Sequence, residues 1–408
     1  MRIAMIGPFG LRPKGTMAVR ALPMARALVK RGHAVTMILP PWDYPDDANR
    51  SFDDAGVSIE NIILPRSIPL LFHINTTRRL VKRALAFQPD VIHCFKPKSY
   101  AGLSAWWLWQ MKRIGLIKAR LIVDTDDWEG AGGWNDFSRQ SSVVSSQLSA
   151  VSGQYSWAQK KMFAWQENWG LRHNDGVNVA SRALQSIVWS LGVKRERVVY
   201  VPNGVQPSAV SGQWSAVSDQ RAAMTILLYT RFFEFKVERV IEVLRRVIEQ
   251  VPEAKLLVVG KGFFGEEDEL LRQAAAIGLR DQIEYQGWVD AGRLPELFGR
   301  SSVAIYPFDD TLINRTKCSV KLIDLLAAGV PVVADAVGQN VEYIAPNDTG
   351  MIVPSGDVEA MANAVIDLLR DPDRRLQLSE KAMRDVRERF DWDCLVEAVE
   401  QLYQGHAS

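Results

Sequence analysis

In the stretch TRFFEFK, an arginine and a lysine follow the apolar run MTILLY. If that run is a strand, Arg231 and Lys236 stand at its carboxyl end. Arginine can grip one phosphate with a two-pronged fork, and lysine supplies a compact charge. Two such cations can neutralise a departing diphosphate; ordinary surface charge is the alternative for either one alone. A second stretch, SVKLIDLLAAGVPVVAD, spans Ser319 to Asp335 and reads as a helix, a tight turn and a buried strand. The free N–H groups at such a helix start favour an anion. Ser319 would add a hydroxyl donor and Lys321 a mobile positive charge. Asp324 lies one turn further in, where a carboxylate suits the vicinal hydroxyls of a ribose. The plainer alternative makes Ser319 a helix cap and leaves Lys321 and Asp324 solvated.

Three further loops carry residues of the right kind. YQGWVDAGRLPELF places Gly287, Trp288 and Val289 after a strand pattern. A base could stack beside Trp288 and read the Val289 backbone; a partly buried tryptophan is the alternative. PFGLRPKG, after the first strand pattern, offers Gly10 and Gly15, where backbone can approach a ligand closely. VIHCFKPKSYAG and VDTDDWEGAGGW bring His93, Lys96, Lys98, Asp124, Asp126, Asp127 and Trp128 to strand ends. These can bind a polyol acceptor or orient its hydroxyl. Clustered acids also suit hard cations, but a solvated acidic turn is the plainer reading, and no metal site is assigned.

These loops make sense only if an α/β scaffold holds them. RIAMIG, AVTMILP, PDVIHCF and ARLIVDTDD are short apolar runs separated by helical spacing, such as Ala18, Ala21, Leu22, Ala25, Leu28 and Val29. Pro23 should kink that helix or mark a late start. The second half repeats the scheme with MTILLYT, AKLLVVG, QIEYQG, SVAIYPF, GVPVVAD and TGMIV. Alternating strands and helices imply parallel sheets covered on both faces, with ligands beyond the strands' carboxyl ends. We expect two doubly wound, Rossmann-like domains, at residues 1–205 and 223–386. A low-complexity linker should occupy 206–222 and a closing helical segment 387–408. SAVSGQYS (149–156) and SAVSGQWS (208–215) repeat a Ser-, Gly- and Gln-rich pattern without an apolar seam, and read as surface insertions.

Composition narrows the function. The chain has 408 residues and a net charge of +2, so no global field draws it to nucleic acid. Its five histidines are scattered and its three cysteines (Cys94, Cys318, Cys394) show no paired spacing, which argues against zinc or disulfides and fits a reducing cytoplasm. The opening MRIAMIGPFG is too short in its apolar run for a signal peptide. SAWWLWQMKRIGLIKARL mixes Trp106, Trp107 and Trp109 with Lys112, Arg113, Lys118 and Arg120, and TTRRLVKRALAF adds more bases. A core helix with a solvated basic face is favoured. Peripheral contact with an anionic membrane, at its inner face, stays open.

The order of these pieces resembles the large retaining glycosyltransferase family 4, which has the two-domain GT-B fold. MRIAMIG, LVKRGHAVTMILP, PDVIHCFKPK, VVYVPNGV, TRFFEFK, YQGWVD, KLIDLLAAGVPVVAD and RERFDWD follow the family's sequence of motifs across nearly the whole chain. The resemblance implies hexosyl transfer from a nucleotide sugar, with a UDP- or GDP-sugar as the expected donor. The acceptor would be a glycan, a lipid-linked compound or a small molecule, as in polysaccharide biosynthesis. It implies retention of configuration and no obligatory metal or cofactor. Arg231 and Lys236 match the family's cations at the donor phosphates, Asp324 its ribose-binding glutamate, Gly15 its backbone loop near the diphosphate, and His93 a histidine near the transferred sugar. The last helix would cross back to the first domain. The family often carries a further glutamate eight residues before the second; here that position is Thr316. TRFFEFK also lacks the glycine that usually follows the lysine. A branch with KLxEyMAxG shares the missing glutamate. A catalytically silent nucleotide- or glycan-binding scaffold and a nucleotide-sugar epimerase of the same fold are the competing readings.

Overall fold

The computed structural model describes residues 1–12, 15–66, 69–136, 156–205 and 224–405. The linker expected at 206–222 and nearly all of both serine-rich repeats lie outside the described residues. Ser156, the last residue of the first repeat, caps the helix Trp157–Arg172 and shares a capping box with Gln159.

Eight strands form the first sheet: β1 (Arg2–Ile6), β2 (Ala34–Leu39), β3 (Ser51–Asp54), β4 (Val57–Asn61), β5 (Val91–Phe95), β6 (Arg120–Thr125), β7 (Gly176–Val179) and β8 (Val198–Tyr200). Their order is β3-β4-β2-β1-β5-β6-β7-β8, and only β3 runs antiparallel to its neighbour. Six strands form the second: β9 (Thr225–Tyr229), β10 (Lys255–Val259), β11 (Ile283–Gly287), β12 (Val303–Tyr306), β13 (Val332–Asp335) and β14 (Met351–Val353). They run parallel in the order β11-β10-β9-β12-β13-β14. Central strands such as β5 and β12 are buried along their whole length. That is why they read as unbroken apolar runs: helices cover both faces. The helix Val237–Gln250 shows the complementary pattern. It buries Val237, Val240, Ile241, Val243, Leu244 and Val247 at helical spacing and leaves its other face polar.

The strand order reverses between β1 and β5 in the first sheet and between β9 and β12 in the second. Ligands of open α/β sheets sit outside the strand ends at such points. The segments after β1, β5 and β9 carry Gly15, Lys96 and Arg231, and the short helix Leu312–Thr316 after β12 ends in Thr316.

The chain returns to the first sheet at its end. The helix Trp392–Gln404 buries Trp392, Val396, Val399, Leu402 and Tyr403 in one core with Ile3, Met5, Ile122 and Val199. Where it leaves the second sheet it runs beside the earlier crossing: Val205 donates to the Phe390 carbonyl at 2.9 Å.

Near the chain start, a π-helical turn (Met17–Ala21) runs directly into the helix Leu22–Lys30, so Pro23 lies inside one continuous helical segment and the widened turn stands just before the proline that lacks an N–H. In the helix Ser99–Arg113, Trp107 and Trp109 pack against the core while Trp106 is 40% exposed. Leu71 and Ile74 are exposed on the helix Pro69–Ala86. Among the described residues no helix is long and apolar enough to cross a membrane.

Candidate active site

After β9 the chain makes a compact turn. Phe232 adopts a left-handed conformation (φ 68°), and its N–H donates to the Thr230 hydroxyl at 2.8 Å. Phe232 and Phe235 enter the core below, which leaves Arg231, Phe233 and Lys236 on the other side. The Arg231 guanidinium lies 4.4 Å from the Phe263 ring centroid and 5.7 Å from that of Trp288. Its Nε is buried without a hydrogen-bond partner, and among the described residues no carboxylate pairs with it. Burial pushes its pKa down. It is a cation held by two rings, with Glu234 acting on it only at a distance and no ion pair among the described residues. Lys236 is exposed at the cap of the helix Val237–Gln250. Trp288 is 62% exposed, and Val289 beside it packs against the second core.

Lys321 and Asp324 occupy the helix Val320–Ala327, both partly buried. The Lys321 amine is 5.6 Å from the Tyr229 ring centroid. Burial, then Lys317 and Arg231, brings its pKa down to about 7 against the pull of Glu234 and Asp324. Glu234 is buried between Lys317 and the Thr230 hydroxyl. Burial opposes its charge, yet Lys317 and Lys321 hold its carboxyl below the usual range. Lys317 lies over the Phe233 ring at 4.3 Å.

Ser319 corrects the sequence expectation. It stands at the helix cap without capping; its hydroxyl is bonded to the Tyr306 phenol and its N–H to Gln339 at 3.1 Å. Its hydroxyl and its N–H are both engaged by neighbouring side chains. Thr316 is fully buried, its hydroxyl turned back to the Leu312 carbonyl at 2.8 Å. The position where the resemblance would put a glutamate therefore faces protein, and the neighbouring Lys317 meets Glu234 instead.

On the first-sheet side, the Gly15 carbonyl accepts the N–H groups of Ala18 and Val19 and so opens the π turn. Thr16 next to it donates to Asp126 at 2.5 Å. Lys96, in a left-handed conformation (φ 50°), reaches Asp127 at 2.5 Å, Asp126 at 3.7 Å and Glu129 at 3.9 Å. Burial works against its charge, but these acids hold its pKa well above the ordinary value. Lys98 pairs with Glu129. The structure thus brings Lys96, Asp126 and Asp127 together beside Gly15.

Three other candidates are placed elsewhere. Asp124 is fully buried and grips Arg20 with both oxygens at 2.8 Å, while Asn178 donates to it at 2.7 Å. It is a core ion pair, not an acceptor contact. His93 lies in mid-strand, fully buried, with Nδ1 on the Tyr403 hydroxyl at 2.7 Å and its ring stacked on Phe95. Burial, then the charge of Arg20, holds its pKa well below the usual value, and its Nε2 is buried without a hydrogen-bond partner. Trp128 packs in the core with Val123 and Leu171, and its Nε1 donates to the Ala131 carbonyl at 2.9 Å.

Sequence reasoning missed several groups. Arg20 meets Asp124 across 104 residues, and it also donates to Val201 and Asn203. Glu167, inside the helix Trp157–Arg172, accepts the Thr125 hydroxyl at 2.8 Å and the Glu129 N–H at 2.6 Å. Burial pushes its pKa up to about 8. Phe233 and Phe263 carried no motif. The apolar-then-aromatic wording of TRFFEFK and GKGFFG was the available signal for them.

The two sides touch directly. Ser181 donates to the Thr316 carbonyl at 2.9 Å, Gln339 to the Ala180 carbonyl at 2.6 Å, and Asn203 N–H to Cys318 Sγ at 3.1 Å. Tyr200 donates to Glu342 at 2.7 Å. Trp134, on the glycine-rich loop after β6, meets the Phe233 ring at 5.0 Å.

Comparison with known proteins agrees with this architecture. The Glycosyl transferase 4-like domain matches residues 15–204, and Glycosyl transferases group 1 matches residues 221–385. A phosphatidyl-myo-inositol mannosyltransferase of Mycobacterium leprae is 28% identical over 223 residues, covering 54% of this chain and 57% of that protein. The chain spans about half the length of the first curated relatives it matches. Sucrose-phosphate synthase from Thermosynechococcus elongatus superimposes with a TM-score of 0.72 at 20% identity, covering 99% of this chain and 98% of that one. Anabaena HepE in complex with UDP-glucose superimposes with a TM-score of 0.68 at 15% identity over 99% of both chains. The two domain matches together cover most of the sequence, and the two sheets share the GT-B arrangement: the chain belongs to the group 1, family 4-like glycosyltransferases.

Proposed function

We propose that the chain transfers a hexosyl group from a nucleotide sugar to an acceptor hydroxyl, with retention of configuration at the sugar carbon. The observation that carries this reading is Arg231, a cation at the second sheet's switch point with no ion-pair partner among the described residues. Breaking the sugar–phosphate bond puts negative charge on the leaving diphosphate. Cations fixed beforehand stabilise it most, because they need not reorganise. Arg231, Lys236 and Lys321 are assigned to the diphosphate, Asp324 to the ribose, and the exposed Trp288 and the Val289 backbone to the base. Gly15 approaches the diphosphate from the first-sheet side.

Lys96, Asp126 and Asp127 are assigned to the acceptor. A UDP-sugar is the donor we infer first, because the similar Anabaena structure holds UDP-glucose; GDP is the alternative. A glycan or a lipid-linked compound is the acceptor class. Exposed Trp106, Leu71 and Ile74 with nearby bases support contact with the inner membrane face. Liposome flotation checks that part, and no enrichment on anionic vesicles removes it.

A thermal-shift titration with UDP, GDP and ADP tests the donor assignment. A nucleotide at about 100 times its Kd should stabilise the protein by about 2.7 kcal/mol. A shift with one nucleotide names the base. A flat response to all three removes the nucleotide-sugar reading.

A further inference from the structure

A further loop borders the cations of the second sheet. It follows β10, spans residues 260–265 and opens the helix Glu266–Ala276. Close backbone contact sets its path. Gly260 has a φ of 126°, and a Cβ there would come within 1.9 Å of the Thr230 carbonyl, so the loop lies directly on the turn that carries Arg231. The first two helical residues fold back on it. Glu267 accepts the Gly262 N–H at 2.9 Å, and Glu266 accepts the Phe264 N–H at 2.7 Å. Phe263 stands between those two held N–H groups. Its ring centroid is 4.4 Å from the central carbon of the Arg231 guanidinium and 5.6 Å from the Phe233 ring. An aromatic face attracts a cation without neutralising it. A carboxylate in the same place would occupy the guanidinium's fork and cancel its charge.

Resting on the nucleotide-sugar reading, we propose that Phe263 is a positioning residue: its ring face holds the Arg231 guanidinium in place for the donor's diphosphate and leaves the charge and the hydrogen-bonding fork free to meet it. A long side chain without that support samples several rotamers, and an arriving diphosphate must first order it. Glu266 and Glu267 act one step further back. They spend their carboxylates on the loop's own N–H groups, and so fix the ring that fixes the cation.

The test is calorimetric titration of the whole protein with UDP, GDP and ADP, on wild type and on variants at position 263, with urea unfolding run beside each. Phe263→Leu keeps an apolar side chain and loses the ring. It should weaken binding of the preferred nucleotide by between about twofold and thirtyfold. Phe263→Tyr keeps the ring and should bind as wild type does. Phenylalanines carrying progressively more ring fluorines, placed at the same position, keep the shape and drain negative charge from the face. Kd should climb step by step with fluorine content while the unfolding midpoint stays level. Phe263→Glu, which sets a carboxylate against Arg231, should bind most weakly of all. A Kd that is equal across the fluorinated series, or losses that merely follow the unfolding midpoint, overturn the proposal and leave the donor reading standing. Failure of all three nucleotides to bind the wild type sinks the donor reading, and this proposal with it.

Discussion

The two sides of the cleft treat charge in opposite ways. On the first-sheet side, buried charges are matched from within: Asp124 with Arg20, Lys96 with Asp127, Lys98 with Glu129. On the second-sheet side, Arg231 rests on aromatic rings, Lys321 stands beside two other cations, and Lys236 reaches into solvent. A charge that the protein has already satisfied is architecture. A charge held in place and left unsatisfied is a site waiting for an ion of the opposite sign. On the proposed function the contrast also divides the labour: the second sheet would receive the anion and the first the acceptor's hydroxyls.

The largest effect should come from breaking the matched side. Asp124→Ala leaves the Arg20 guanidinium fully buried and without its carboxylate. Such a loss costs about 3–5 kcal/mol of stability. Urea unfolding should show a much lower midpoint. If it does not, Arg20 is not dependent on this pair and the contrast between the sides weakens. On the unmatched side the effect should appear in turnover instead. Arg231→Met keeps the packing on Phe263 and removes the charge. It should lower kcat by about 100-fold, as single-donor losses do at charge-stabilising sites, with the unfolding midpoint little changed. Lys236→Ala should behave alike. Near-normal turnover in either would remove the charge argument.

The first-sheet side also holds an acid that the contrast must accommodate. Glu167 is pushed up to about 8 by burial and by Glu129, although Thr125 and the Glu129 N–H favour its charged form. Folded chains therefore keep a proton there that unfolded chains release near pH 4.5. Its contribution to stability is full below about pH 4.5 and is lost as pH rises through about 8. Glu167→Gln should flatten that part of the stability–pH curve, read as the difference between wild type and variant. A difference independent of pH would mean that Glu167 is ionised in the fold.

The same contrast explains what could be read without a structure. The sheets were legible because strands buried on both faces are unbroken apolar runs alternating with helices; the order of the strands, and so where it reverses, was not. The positions of Arg231, Lys236, Lys321 and Asp324, past a strand end or in a helix's first turns, were legible; the donor contacts assigned to them are proposals. His93 and Asp124 misled because β5 and β6 run two and one residues further than the charges suggest, which puts both side chains inside the sheet. Arg20, Glu167, Glu234 and Lys317 were not legible at all. Their meaning lies in partners far along the chain: 104 residues separate Arg20 from Asp124, and 83 separate Lys317 from Glu234. Spacing within one segment carries no trace of such pairs.

The smallest predicted effect lies where the two sides meet. Trp134 reaches the Phe233 ring from a loop folded tightly on Trp128: a Cβ on Gly133 would come within 2.1 Å of the Trp128 carbonyl. Phe233 also supports the Lys317 amine and touches Phe263, which holds Arg231. Trp134 is thus the first-sheet residue through which closure of the cleft can steady the cation side. An edge-to-face pair of this kind is worth about 0.5–1.5 kcal/mol. Trp134→Ala should accordingly raise the donor KM by less than about tenfold, with kcat nearly unchanged and a larger share of donor lost to water. Trp134→Phe should restore most of the affinity. If both variants behave as wild type, the rings merely adjoin, and the two sides are coupled by hydrogen bonds such as those at Thr316, Cys318, Gln339 and Glu342.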